Sequence, residues 1–237
     1  MTTQPPKRTN GPSISRRGFL VGSCAGLSAL GAMAPPPPGA LSVSVTTFRP
    51  NRRRPRRNHD EVVIYLDKAP GELPDTTNIV HEIRQIDQEF VPRVSVVGVG
   101  TTLSFPNDDR IFHNVWSASK AGRFDLGLYK SGTTKTHVTK REGVIEVFCN
   151  IHPHMEAKIL VLDTPHYAMT DESGAGRISG VPPGTYRWIA WQAWGEHEEG
   201  KVTIPSGGTA ELALELETER PPRRHARKDG SAYPRSY

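Results

Sequence analysis

From Glu61 onward the sequence never sustains a helical period. It runs instead in short apolar or β-branched stretches: Val62-Val63-Ile64-Tyr65-Leu66, Val94-Ser95-Val96-Val97, Thr102-Leu103-Ser104-Phe105, Val144-Ile145-Glu146-Val147-Phe148 and Thr185 to Trp191. Stretches this short and this rich in Val, Ile, Thr and Phe read as strands. The breaks between them hold Gly and Pro, of which the 237-residue chain has 22 and 21. Only 35% of the residues are hydrophobic, which suits thin antiparallel sheets better than a helical bundle. The expected fold class is all-β, as two small antiparallel β-sandwiches in tandem.

Turn chemistry and charge divide the chain. Residues 1–42 read as a signal peptide and 43–60 as a basic linker with no packed core, entered through four prolines at 35–38 that form a stiff spacer. The first sandwich is expected over 61–163, with Asp163-Thr164-Pro165 as its boundary, and the second over 164–218. Residues 219–237 read as a disordered basic tail. Within the first sandwich, Val80 to Phe90 fits a helical turn, a strand or irregular chain, and Gly122 to Gly132 reads as long and irregular.

The net charge of +5 hides an asymmetry. Between Glu61 and Thr218 there are 14 Lys+Arg against 22 Asp+Glu, and the flanks carry the other 16 basic and 3 acidic residues. An acidic body between basic arms argues against nucleic acid as the partner and leaves weak contact with an anionic surface open. At the start, Ser15-Arg16-Arg17-Gly18-Phe19-Leu20 resembles the twin-arginine export consensus, followed by an apolar run to about Ala34 that is too short and Gly/Ala-rich to span a membrane. Export to the periplasm with no transmembrane anchor is the expectation. Cleavage fits either Ala32-Met33-Ala34 or Ala40-Leu41-Ser42. Val21-Gly22-Ser23-Cys24 has almost no apolar run before it, so Cys24 reads as leaving with the signal rather than as a lipid anchor.

Cys149 then remains as a single cysteine, so no intrachain disulfide is possible. A free thiol in an oxidising compartment is a liability that a metal would remove. Cys149 opens the string Cys149-Asn150-Ile151-His152-Pro153-His154-Met155, and His113 stands upstream in Phe112-His113-Asn114-Val115. Each of these residues alone is ordinary: a core Cys, a satisfied His, a gap-filling Met. Together, two imidazoles, one thiolate and a thioether are the donor set of a blue-copper electron-transfer site. His152 and Met155 follow Cys149 at three and six positions, so one tight loop can wrap a single ion. The expected metal ligands are His113, Cys149, His152 and Met155, with one type 1 copper per chain. His154 is expected to face solvent, and Asp108-Asp109 to be a polar turn or an acidic docking patch.

The region from about Glu61 to Leu162 resembles a cupredoxin of the plastocyanin/amicyanin type, through the C-x-x-H-P-x-M loop and the segments FPNDDRIFHNVWSAS, FDLGLYKSG and GVIEVFCNIHPHMEAKILVLDTP. Exported cupredoxins called methylamine utilization protein-like are similar in the same strings. The resemblance implies a Greek-key sandwich, trigonal ligation by His113, Cys149 and His152, a long axial Met155, and an Asn114 that ties the His113 segment to the Cys149 loop. It also implies an electron port at the edge of His152. The segment from Thr164 to Glu217 resembles carboxypeptidase-regulatory-like or transthyretin-like sandwiches through T-D-E-S-G and I-S-G-V-P-P-G-T-Y. It carries no catalytic constellation. Trp188, Trp191 and Trp194 read as core, or as a platform for a sugar or a partner.

These features imply an electron carrier between redox partner proteins, with a copper-holding carrier or surface interaction protein as the alternative. An enzyme is not expected, since a multicopper enzyme needs further His-rich sites and the remaining histidines are scattered.

Overall fold

The computed structural model describes residues 34–76 and 78–233. The twin arginines, the apolar leader run and Cys24 lie outside the described residues. Among the described residues every helix or strand assigned is a strand, so the chain is all-β. No described helix is long and apolar enough to cross a membrane.

The chain opens with β1 (Gly39–Phe48) and β2 (Val62–Asp67). Ten strands follow: β3 (Val80–Glu82), β4 (Arg84–Ile86), β5 (Glu89–Val91), β6 (Val94–Gly98), β7 (Thr102–Pro106), β8 (His113–Ala118), β9 (Arg123–Tyr129), β10 (Thr134–Val138), β11 (Gly143–Phe148) and β12 (Glu156–Leu162). It closes with β13 (Tyr167–Met169), β14 (Ala175–Val181), β15 (Gly184–Gln192), β16 (Glu198–Ile204) and β17 (Thr209–Glu217).

Strands β3 to β12 build one sandwich. A five-stranded sheet in the order β6-β12-β11-β8-β9 packs against a three-stranded sheet β10-β7-β3, with the β4-β5 hairpin beside them. Their inward residues share one core that includes Ile83, Phe90, Leu103, Phe105, Val115, Ile145, Val147 and Ile159. Cys149 and Met155 belong to that same core, so the loop between β11 and β12 is fixed by packing as well as by hydrogen bonds.

The second sandwich does not follow the first; it encloses it in sequence. β1 lies between β14 and β17 in one sheet, and β2 lies between β13 and β15 in the other, whose order is β13-β2-β15-β16. Two expectations are corrected here. Residues 43–60 do not form a linker without a core, and a signal ending at residue 42 would cut into β1. Leu41, Val43 and Val45 recur at period two and are buried, with Leu41 opposite Ile178 in β14 and Ala210 in β17. That alternation is a half-buried strand, and the nearby prolines and arginines mask it in the sequence. Burying each such side chain contributes on the order of 1.5–3 kcal/mol. The stretch after β1 is pinned as well: the Thr47 amide donates to His59 Nδ1 at 2.9 Å, while Arg52, Arg53 and Arg54 stay exposed.

β2 is likewise part of the second sandwich rather than the first. Its Val62, Ile64 and Leu66 face the second core, whereas Val63 faces the other way. There it meets Val94, Leu160 and Leu162 of the first sandwich and Trp191 of β15 in a third apolar cluster that joins the two. The tryptophans therefore divide. Trp188 packs in the second core and Trp191 in the seam, and the Arg93 guanidinium lies 5.1 Å from the Trp194 ring centre.

One local reading is narrowed and another changes. Val80 to Phe90 resolves into β3, β4 and most of β5. The segment read as irregular from Gly122 to Gly132 contains β9, which pairs antiparallel with β8. Between Asn114↔Leu128 and Trp116↔Asp125 the register gains one residue on β9. Gly127 sits in that bulge at φ 69°, where a glycine relieves the left-handed backbone. The bulge breaks the alternation that would have marked the strand. The tail 219–237 reads as disordered in the sequence; instead the Glu219 amide donates to the Trp194 carbonyl and residues 225–233 dock on the first sandwich, while 234–237 lie outside the described residues.

Candidate metal centre

Strand β8 starts at His113 and strand β11 ends at Phe148, so Cys149 is delivered at the open end of the same sheet. The two strands are neighbours, with Phe148 paired to Trp116. Beyond Cys149 the chain makes a tight return. The Cys149 amide donates to the Met155 carbonyl at 3.2 Å, and the Met155 amide to the His152 carbonyl at 3.2 Å. Pro153 sits inside this return, where its fixed φ and missing N–H cost no hydrogen bond in a sheet.

The fold brings three expected ligands together. His113 Nδ1 lies 3.1 Å from His152 Nδ1 and 3.9 Å from Cys149 Sγ, and Cys149 Sγ lies 3.5 Å from His152 Nδ1. One ligand atom from each residue falls within 4.8 Å of the others. His113 and Cys149 are fully buried, and His152 is half-buried at the rim. Met155 is fully buried in the core that also holds Cys149. His154 is exposed.

The environment favours a neutral His152 imidazole and a receptive sulfur. Burial pushes the His152 pKa down to about 4, helped by His113 and His154 and opposed by Asp109. Burial raises the pKa of the Cys149 thiol, while the backbone N–H groups of Asn114, Ile151 and His152 point at the sulfur and pull the other way. Three donors aimed at one sulfur suit a thiolate once a cation replaces its proton. The donor chemistry fits copper: a soft sulfur and two imidazoles in a dry pocket are suited to both of its oxidation states.

The surrounding contacts hold the donors in place. Asn114 Oδ1 accepts the Asn150 amide at 3.3 Å, linking β8 to the Cys149 loop. The Asn114 side-chain amide donates to Asp125 at 3.0 Å.

Sequence reasoning missed Asp109 as a partner of the site. Its Oδ2 lies 2.7 Å from His113 Nε2, so with that nitrogen protonated, Nδ1 is left free as a donor to a metal. Asp109 also accepts the amides of Asp87 and Gln88 at 2.6 and 2.8 Å. Burial pushes its carboxyl pKa up, but the Gln88 and Asp87 amides and His113 together bring it below the ordinary value. An acidic residue four positions before a candidate ligand was the only signal available in the sequence. Also unforeseen were His225, Lys228 and Tyr233, which reach the loop from the C-terminal segment.

No protein-family model matches the sequence, and no curated protein matches it. Solved structures do. A purple cupredoxin from Nitrosopumilus maritimus is similar at 26% identity over 34% of this chain and 98% of that one, with a TM-score of 0.31. A reduced amicyanin variant is similar at 18% identity over 44% of this chain and 100% of that one, TM-score 0.33. A copper-containing nitrite reductase from Thermus scotoductus is similar at 22% identity and a TM-score of 0.34. The match covers 35% of this chain and only 22% of the reductase.

Proposed function

We propose that this chain is a type 1 copper protein that carries single electrons between redox partner proteins in an exported, periplasmic setting. His113, Cys149, His152 and Met155 would hold a single copper per chain, the first three through donor atoms that already converge. The observation that carries the reading is the convergence of two imidazole nitrogens and one buried sulfur within 4.8 Å at the end of a rigid sheet. Copper bound there supplies a one-electron couple between Cu(I) and Cu(II).

The chain's own residues do the rest. Asp109 holds the His113 ring and leaves its Nδ1 directed at Cys149 and His152. The amides of Asn114, Ile151 and His152 support negative charge on Cys149. The packed core beneath Cys149 and Met155 excludes water and resists rearrangement, which favours an electron moving with little motion of the ligands. The reading takes the protein as a carrier that makes and breaks no substrate bond. Twin-arginine export fits it, because that route moves folded proteins, which suits a chain that acquires a cofactor before export. The second sandwich then serves as scaffold or recognition module.

The test is the absorption and EPR spectrum of the purified chain loaded with Cu(II). An intense visible band from thiolate-to-metal charge transfer is expected. In Met155→Leu the band should persist and the reduction potential should rise. A colourless protein that holds zinc or no metal contradicts the reading. A coloured protein that surrenders its copper to chelators within minutes favours a copper carrier instead.

A further inference from the structure

The ligand loop is tied from the inside by its own backbone bonds and by Asn114. Its outward acceptors are taken by the C-terminal segment. The Tyr233 hydroxyl donates to the Cys149 carbonyl at 2.8 Å, and the His225 amide donates to the Pro153 carbonyl at 2.9 Å. His225 Nε2 stands 3.2 Å from the His152 carbonyl and Nδ1 2.8 Å from the Ala226 carbonyl, two acceptors for the single N–H of a neutral ring, and the Lys228 amide donates to Asn150 Oδ1 at 2.9 Å. Three bonds and one ring contact thus reach four residues of one short loop, and two of those residues are Cys149 and His152.

The segment also has a shape of its own. The Gly230 amide donates to the Arg227 carbonyl at 2.8 Å and the Arg227 amide to the Ser231 carbonyl at 3.0 Å, closing a turn. The His225 ring packs on Phe148 with centroids 4.7 Å apart and meets Tyr233 edge-on at 5.5 Å. The Arg227 guanidinium lies 5.1 Å from the Tyr233 ring centre. Tyr233 is only 7% exposed. The Lys228 ammonium pairs with Asp125, the carboxylate that accepts from Asn114. Asn114, Asp125, Lys228 and Asn150 therefore close a ring of polar contacts around the base of the loop. A solvated basic tail makes no such set of contacts.

We propose that residues 225–233 are a latch on the ligand loop, with His225 and Tyr233 as positioning residues that hold Cys149 and His152 by their carbonyls. The latch keeps the loop in the one arrangement in which the three donors converge. It rests on the copper reading for its consequence: an ion held by His113, Cys149 and His152 leaves only when the latch lets the loop open. Linkage makes the effect reciprocal, so a bound ion must in turn hold the latch closed.

The test has a metal-free arm and a copper arm, both on the full chain. In the copper-free protein, hydrogen exchange is followed at the Asn150 and Met155 amides. Tyr233→Phe and His225→Ala are each expected to speed it about fivefold, the effect of losing one ordinary hydrogen bond, and His225→Gln, which keeps a donor, to restore most of the protection. In the copper-loaded protein, the same substitutions are expected to speed copper transfer to a chelator by a similar factor. Trypsin is expected to cut after Arg227 and Lys228 more slowly with copper bound than without. Unchanged exchange at both amides in Tyr233→Phe and in His225→Ala overturns the latch. Equal trypsin cleavage with and without copper overturns its coupling to the ion. A chain that binds no copper contradicts the metal reading instead, and the metal-free arm then decides the latch alone.

Discussion

The two sandwiches are built of the same strands and solve different problems. The second has a core of aliphatic residues and tryptophan, Leu41, Val43, Ile64, Leu66, Ile178 and Trp188 among them. The first buries a thiol, a thioether and one imidazole, with a second imidazole half-buried at its edge. Burying such groups is costly unless each has a partner. The first sandwich supplies those partners through Asp109, the amides around Cys149 and the C-terminal segment. The second assembles strands from both ends of the described chain and so wraps the first in sequence. The comparison separates scaffold from chemistry, and the seam at Val63, Leu160 and Trp191 is where they meet.

The largest expected effect is confined to the first sandwich. Cys149→Ser should abolish the thiolate-to-copper absorption while the far-ultraviolet β signal of the chain stays as it was. A coloured Cys149→Ser protein would mean that the sulfur is not the donor. Next come paired core truncations. Leu41→Ala and Ile145→Ala should each cost about 2–5 kcal/mol in urea unfolding. Leu41→Ala should leave the copper spectrum unchanged, because Leu41 belongs to the other core, whereas Ile145→Ala loosens the core that holds Cys149. If Leu41→Ala costs nothing measurable, β1 is not the central strand described here.

A smaller effect is expected at the carboxylate behind His113. Asp109→Asn should weaken copper binding about tenfold, the low end for losing a partner that orients a ligand imidazole, as read by competition with a chelator of known affinity. Unchanged affinity would remove Asp109 from the site. The smallest concerns pH. The folded His152 pKa of about 4 lies below its ordinary value of 6.5, so the unfolded chain takes up the proton first. Stability of the copper-free chain from this group is therefore complete above about pH 6.5 and falls as the pH drops toward 4. The loss is modest because the ring is half-exposed. Urea midpoints at pH 7 and 5 should differ less in His152→Gln than in the unmodified chain; an equal difference would contradict it.

What could be read from the sequence follows the same division. The loop from Cys149 to Met155 is legible because its candidate ligands are three and six residues apart, and His113 because it opens a β-branched strand. The all-β class is legible from turn spacing alone. β1 was hidden, although Leu41, Val43 and Val45 alternate, because prolines precede it and arginines follow. Its partners Ile178 and Leu212 lie more than a hundred residues away, and no local pattern announces such pairing. β9 was hidden by the bulge at Gly127. The C-terminal segment was hidden by its charge: Arg223, Arg224, Arg227 and Lys228 read as solvated, yet His225 and Tyr233 between and beyond them dock on the loop.

The decisive measurement is copper-edge X-ray absorption on the loaded chain. One copper is expected, bound by one sulfur at short range and two imidazole nitrogens, with the sulfur signal lost in Cys149→Ser and one imidazole lost in His113→Ala. Copper ringed by nitrogen and oxygen alone, or unaffected by either substitution, would contradict it.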